Sequence, residues 1–155
     1  MKYAYYPGCS LRGTGRAYEE SLLAVFRVLG VELEELEDWN CCGATTYLSV
    51  NELQSYALAA RNLALAERQQ LDIVAPCSAC YLVLNKTQHY VREYPDVRTV
   101  VDRAMEAIGL QYRDCIRVRH PLDILFHDVG VKAIAATVKE AEVIILPAGS
   151  SINPY

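Results

Sequence analysis

Three times in its first 80 residues this sequence follows a short strand-like run with a cysteine-bearing turn, and each time a stretch of helical periodicity comes next. That order constrains the fold more than any other feature. Strands separated by helical crossovers join in a largely parallel sheet, and right-handed crossovers gather the strand-to-helix turns along one edge. The expectation is an α/β domain with a mostly parallel sheet, flanking helices, and its cysteine loops at the C-terminal edge of the strands.

The individual segments carry this pattern. Residues 2–6 (KYAYY) read as a strand that stops at Pro7-Gly8 and leads into a tight loop at Cys9. From Thr14 to Leu29, Tyr18, Leu22, Val25 and Leu29 recur at helical spacing, and Gly30 is placed as the residue that ends the helix. Val31 to Leu36 is a second strand, running through Asp38, Trp39 and Asn40 into Cys41-Cys42-Gly43. Ser49 and Glu52 match a capping box for a helix over 50–70, whose Arg61, Glu67 and Arg68 separate it from a membrane span. Leu71 to Ala75 is a third strand broken by Pro76, and Cys77-Ser78-Ala79-Cys80 opens a helix with Tyr81, Leu84, Gln88 and Val91 on one side. Further along, the periodicity predicts a helix over 97–108, a strand over 116–118, a helix from Pro121 and a last strand over 143–146.

Composition narrows the class. Apolar residues are 52% of the 155, and 15 basic against 19 acidic side chains leave a net charge of −4. Such a chain can bury a core, and it lacks the basic excess that nucleic-acid binding requires. No window approaches the ~18 apolar residues of a membrane helix, and the N-terminus lacks a signal-peptide apolar stretch, so the expected location is cytoplasmic. In a reducing compartment six cysteines point to metal ligation or redox chemistry rather than structural disulfides.

Five of the six form the pattern C-x31-CC-x34-CxxC: Cys9, Cys41, Cys42, Cys77 and Cys80. The residues leave several chemistries open: a zinc ion on four of them, a dithiol at Cys77 and Cys80, or plain burial. An iron–sulfur cluster is favoured. Zinc is saturated by four ligands, neighbouring cysteines do not readily clasp one small ion, and a polynuclear centre can use a thiolate at each of its irons. Cys115 lies outside the pattern and reads as a core residue. His120 is placed to cap the helix at Pro121, and His127 beside Asp128 reads as a surface position; neither they nor His89 are assigned as acid or base. Gly8, Gly13 and Gly15 match no phosphate-binding motif. The acidic run from Glu32 to Asp38 reads as a solvated edge, and Arg113, Arg117, Arg119 and His120 as ordinary surface charge.

Together Tyr5-Tyr6-Pro7-Gly8-Cys9, Cys41-Cys42-Gly43, Pro76-Cys77-Ser78-Ala79-Cys80 and Val118-Arg119-His120-Pro121-Leu122 resemble the cysteine-rich CCG domain of the B-type subunit of heterodisulfide reductase, over residues 1 to about 140. The resemblance implies one non-cubane 4Fe–4S cluster held by Cys9, Cys41, Cys42, Cys77 and Cys80. It also implies reduction of a thiol disulfide such as CoM-S-S-CoB with electrons from a partner. The implied partners are a ferredoxin-like iron–sulfur subunit, a flavoprotein subunit, and a second CCG-containing chain or a second copy. Similar domains occur in glycolate- and lactate-oxidising complexes, and a non-catalytic electron-transfer or assembly module is the alternative role. The family's catalytic subunit is similar to two such domains in tandem. Here a CCG domain over 1–142 is followed by a terminal strand and tail over 143–155, so the expectation is one cluster and an enzyme incomplete alone.

Overall fold

A computed structural model describes residues 1–45 and 47–137. Its sheet has four parallel strands, β1 (Lys2–Tyr5), β2 (Glu32–Glu35), β3 (Ile73–Val74) and β4 (Val118–Arg119), in the order β2-β1-β3-β4. Around it lie α1 (Gly8–Leu11), α2 (Arg16–Val28), α3 (Tyr47–Val50), α4 (Glu52–Gln69), α5 (Ser78–Glu93), α6 (Pro95–Ala107), α7 (Pro121–Asp123), a π-helical turn over Ile124–Val129 and α8 (Val131–Thr137). The α/β class and the parallel sheet are as the sequence implies.

β1 sits centrally and is covered on both faces, so its alternating side chains enter two cores. Tyr3 and Tyr5 pack with Leu22 and Phe26 of α2 and with Ile124. Ala4, and Tyr6 just beyond the strand, pack on the opposite side with Leu63, Leu84 and Val101 of the long helices α4, α5 and α6. The register aligns Tyr5 with Glu35 on one side and Val74 on the other, so β1, β2 and β3 end level. The turns that follow them therefore start from one line. β2, at the edge, keeps Glu32, Glu34 and Glu35 exposed, the solvated acidic edge expected.

Several expectations need correction. Cys9 is in a one-turn helix rather than a loop. The cap of α4 is Asn51, not Ser49: Asn51 has an extended backbone (φ −150°) and its side-chain oxygen accepts from Gln54 N–H at 3.2 Å, while Ser49 belongs to the separate turn α3. Cys115 is exposed. The Glu67 carboxylate accepts the N–H groups of both Arg113 and Cys115 at 2.8 Å, and the buried Ile116 takes the core position instead. Arg119 is buried, not surface charge. Its guanidinium pairs with Asp123 and, at 2.9 Å, with Asp128, whose carboxylate also accepts from Tyr3 Oη at 2.6 Å. That hydroxyl first, and then Arg119, hold the Asp128 carboxyl below the usual range, while burial and Asp128 push Tyr3 up to about 12. His120 does cap α7, its Nδ1 accepting from Leu122 N–H at 3.3 Å, and the His127 side chain is exposed as expected. The strand expected over 143–146, and the division at 142/143, lie outside the described residues.

Candidate metal centre

Each pattern cysteine leaves the sheet at its C-terminal edge. Cys9 is the second residue of α1, reached from β1 through Tyr6, Pro7 and Gly8. Gly8 has φ +66°, a conformation that costs any residue with a Cβ. Space demands glycine as well, since a Cβ there would stand 2.9 Å from Cys80 Sγ. Cys77 is the N-cap of α5 and Cys80 lies in its first turn.

The Cys41-Cys42 turn has no regular structure of its own and is held by α4. Asn62, fully buried in an otherwise Ala- and Leu-rich face, accepts from Asn40 N–H and donates to Asn40 O, both at 2.9 Å. Asn40 Nδ2 donates to the Leu58 and Cys41 carbonyls, and Tyr6 Oη donates to Asn40 O at 2.8 Å. Arg61 adds a hydrogen bond to Asn40 Oδ1 at 3.0 Å. Backbone groups with no helix or strand to satisfy them are thus paired by side chains, which fixes the turn. Gly43 (φ +83°) then passes over Ser55 of α4, where a Cβ would come within 3.0 Å of Ser55 Oγ and 3.3 Å of its Cα.

Cys42 Sγ and Cys80 Sγ are 3.4 Å apart. Cys9, Cys41 and Cys77 lie near enough for their charges to act on this pair or on one another, and among the described residues no three Cys, His, Asp or Glu side chains converge as a single-ion site. Cys42 and Cys80 are 2% and 3% exposed, Cys77 is half-buried, and Cys9 and Cys41 face solvent. The centre has a closed inner side and an open outer one.

Proximity couples the thiols' protons. The contact with Cys80 holds Cys42 down to about 6 despite its burial, and the same contact, with burial, pushes Cys80 well above the ordinary thiol range. Desolvation raises Cys41, opposed by the N–H of Gly43, which lies 3.4 Å from its sulfur. Tyr6 forms the floor, with its ionisation strongly disfavoured by burial first and then by Cys42, Cys80, Cys41 and Cys9. Five thiols make a soft donor set for iron or zinc, and the close passage of Gly8 leaves a cradle that a Cβ would fill. Residues 9, 41, 42, 77 and 80 are brought together; Cys115 is elsewhere, beside Glu67. Tyr6, Asn40, Ser55 and Asn62 had no assigned role from sequence, although a lone Asn within an Ala/Leu helix was a usable signal.

A family model described as a cysteine-rich domain, CCG, matches residues 3–85. The chain is 32% identical over 140 residues to a protein of Archaeoglobus profundus described as like the B-type subunit of heterodisulfide reductase, covering 90% of this chain and 47% of that protein. It is 39% identical over 87 residues to the 8-methylmenaquinol:fumarate reductase membrane anchor subunit of Wolinella succinogenes, covering 56% and 31%. Against the B-type subunit of the ferredoxin/F(420)H(2)-dependent CoB-CoM heterodisulfide reductase of Methanosarcina acetivorans, the identity is 25% over 138 residues, 88% of this chain and 46% of that one. The chain thus spans about half the length of the two heterodisulfide reductase relatives. A crystal structure of a hypothetical protein from Helicobacter pylori superposes with a TM-score of 0.68 over 77% of this chain and 24% of that one, at 15% identity, which speaks to the fold alone. Among the described residues no helix is long and apolar enough to cross a membrane.

Proposed function

The chain belongs to the CCG cysteine-rich domain family, and from that membership we propose that it is the iron–sulfur module of a redox complex that reduces a thiol disulfide. Family and relatives imply iron–sulfur cluster binding and partner subunits. In the finer reading one non-cubane 4Fe–4S cluster is held by Cys9, Cys41, Cys42, Cys77 and Cys80. What supports it is that five cysteines, one more than a zinc ion uses, lie in the turns at one edge of the sheet, with Cys42 Sγ and Cys80 Sγ 3.4 Å apart.

Bound there, the cluster would supply electrons to a disulfide sulfur. The residues around it have separate tasks. Cys42 and Cys80 close the inner side and exclude water, Tyr6 and Asn62 hold the Cys41-Cys42 turn, and the exposed side at Cys9 and Cys41 leaves room for a substrate or donor to approach. The reaction takes two electrons and two protons to convert one disulfide, such as CoM-S-S-CoB, into two thiols, with the electrons arriving from a ferredoxin-like iron–sulfur subunit. A flavoprotein subunit and a second CCG-containing chain, or a second copy of this one, complete the proposed assembly, in the cytoplasm. Identity to a fumarate reductase membrane anchor subunit favours a second reading, in which the domain relays electrons without disulfide chemistry.

Protein purified without oxygen is expected to hold iron and acid-labile sulfide in near-equal amounts with little zinc; a colourless, iron-free, zinc-loaded sample would overturn the cluster reading. Cys115→Ser should retain wild-type iron content, because that side chain lies outside the five-cysteine pattern. Viologen-driven reduction of a coenzyme-type heterodisulfide, by the chain alone and with candidate partner subunits, separates the two readings. Thiol production supports disulfide chemistry, and cluster oxidation by a partner without thiol production supports relay.

A further inference from the structure

Ser55 is fully buried, and its Oγ has no hydrogen-bond partner among the described residues. A buried hydroxyl left unpaired costs stability, so such a group calls for an explanation. Its position supplies one. Ser55 lies against the Cys41–Gly43 turn, its Oγ 3.0 Å from where a Cβ on Gly43 would stand, and Gly43 N–H in turn lies 3.4 Å from Cys41 Sγ. The same side of α4 carries Asn62, whose two hydrogen bonds to Asn40 fix the start of this turn. One of these two buried polar side chains is therefore satisfied by described residues, and the other, two helical turns away and against Gly43 at the end of the turn, is not.

We infer that Ser55 is a positioning residue of the metal centre, its hydroxyl donating a hydrogen bond to a sulfur of the bound cluster. The inference rests on the cluster reading above. A hydroxyl is a suitable donor because sulfur bound to iron carries negative charge and accepts readily, and a hydrogen bond to such sulfur stabilises the more negative, reduced state. Glycine at position 43 is what lets the hydroxyl lie so close to the turn. Among the described residues the hydroxyl has no acceptor, so it is a cost until a loaded sulfur accepts from it.

The test compares wild type with Ser55→Ala, both reconstituted with iron and sulfide under anaerobic conditions and analysed for iron first. Equal iron content is expected, together with a reduced-to-oxidised ratio at a fixed solution potential on the order of tenfold lower in the variant. An exchangeable-proton coupling seen by pulsed EPR of the cluster should be present in wild type and absent in Ser55→Ala. The metal-free variant should melt no lower than metal-free wild type, and about 2–12 °C higher if the full cost of the unpaired hydroxyl is removed. Iron-loaded Ser55→Ala with unchanged potential and coupling overturns the inference and leaves the cluster reading standing. A metal-free variant that melts clearly lower overturns it too, by showing a structural partner for the hydroxyl. A wild-type chain that takes up no iron overturns the cluster reading and this inference with it.

Discussion

Cys42→Ser and Cys80→Ser are each expected to retain less than about a tenth of the wild-type iron and to destabilise the metal-free chain by about 1–3 kcal/mol. Both sulfurs are almost wholly buried and touch one another, so serine would leave a more polar, smaller group in a space shaped for sulfur. Cys9→Ser and Cys41→Ser, at exposed positions, should lose iron to a similar extent while leaving the metal-free chain within about 0.5 kcal/mol of wild type. Denaturant unfolding of the metal-free proteins, alongside iron analysis of the reconstituted ones, reads both effects. Full iron retention in all four variants would show that these thiols are not the ligands.

Gly8→Ala should have the second large effect, costing about 2–4 kcal/mol and preventing cluster incorporation. Two penalties combine: a positive-φ backbone now carrying a Cβ, about 1 kcal/mol, and a methyl group 2.9 Å from Cys80 Sγ, about 1–3 kcal/mol where neither side can yield. Gly30→Ala is the internal control. Gly30 has nearly the same φ, +69°, and nothing within 4 Å of its added Cβ, so it should pay only the backbone part and load iron normally. Equal destabilisation by the two substitutions would mean that the close approach to Cys80 has no energetic weight.

Much of this was legible from the sequence because strand, turn and helix leave local marks. The Tyr-rich run before Pro7-Gly8 and the 3.6-residue spacing from Tyr18 to Leu29 identify elements, and their alternation places Cys9, Cys41, Cys42, Cys77 and Cys80 on one edge. What stayed hidden depends on partners distant in the chain. Arg119 looks like surface charge until Asp123 and Asp128 are seen to enclose it. Cys115 looks like core until the Glu67 carboxylate, far earlier in the sequence, is seen to bind the surrounding backbone. Ser49 and Glu52 have the spacing of a cap, but the break at Asn51 takes that role from them. The support of the Cys41-Cys42 turn by Asn62 is of the same kind, since periodicity locates a helix and not what lies against it; in α2 it even picks the wrong row, for Tyr18 and Val25 are exposed while Glu19 and Phe26 are buried.

The central position of β1 has a consequence during synthesis. Its two sheet neighbours begin about 30 and 70 residues later, so the first strand cannot be enclosed until β3 has been made. At roughly 5–20 residues per second, the interval between the appearance of Cys9 and that of Cys80 lasts about 4–14 s. Throughout it the earliest thiols hang on a chain that cannot yet assemble the edge they belong to, free to react with one another or with any oxidant. Iron delivery to this protein therefore has to wait at least until Cys80 has been made, and its yield in a cell should depend on how well thiols are kept reduced while it is being translated.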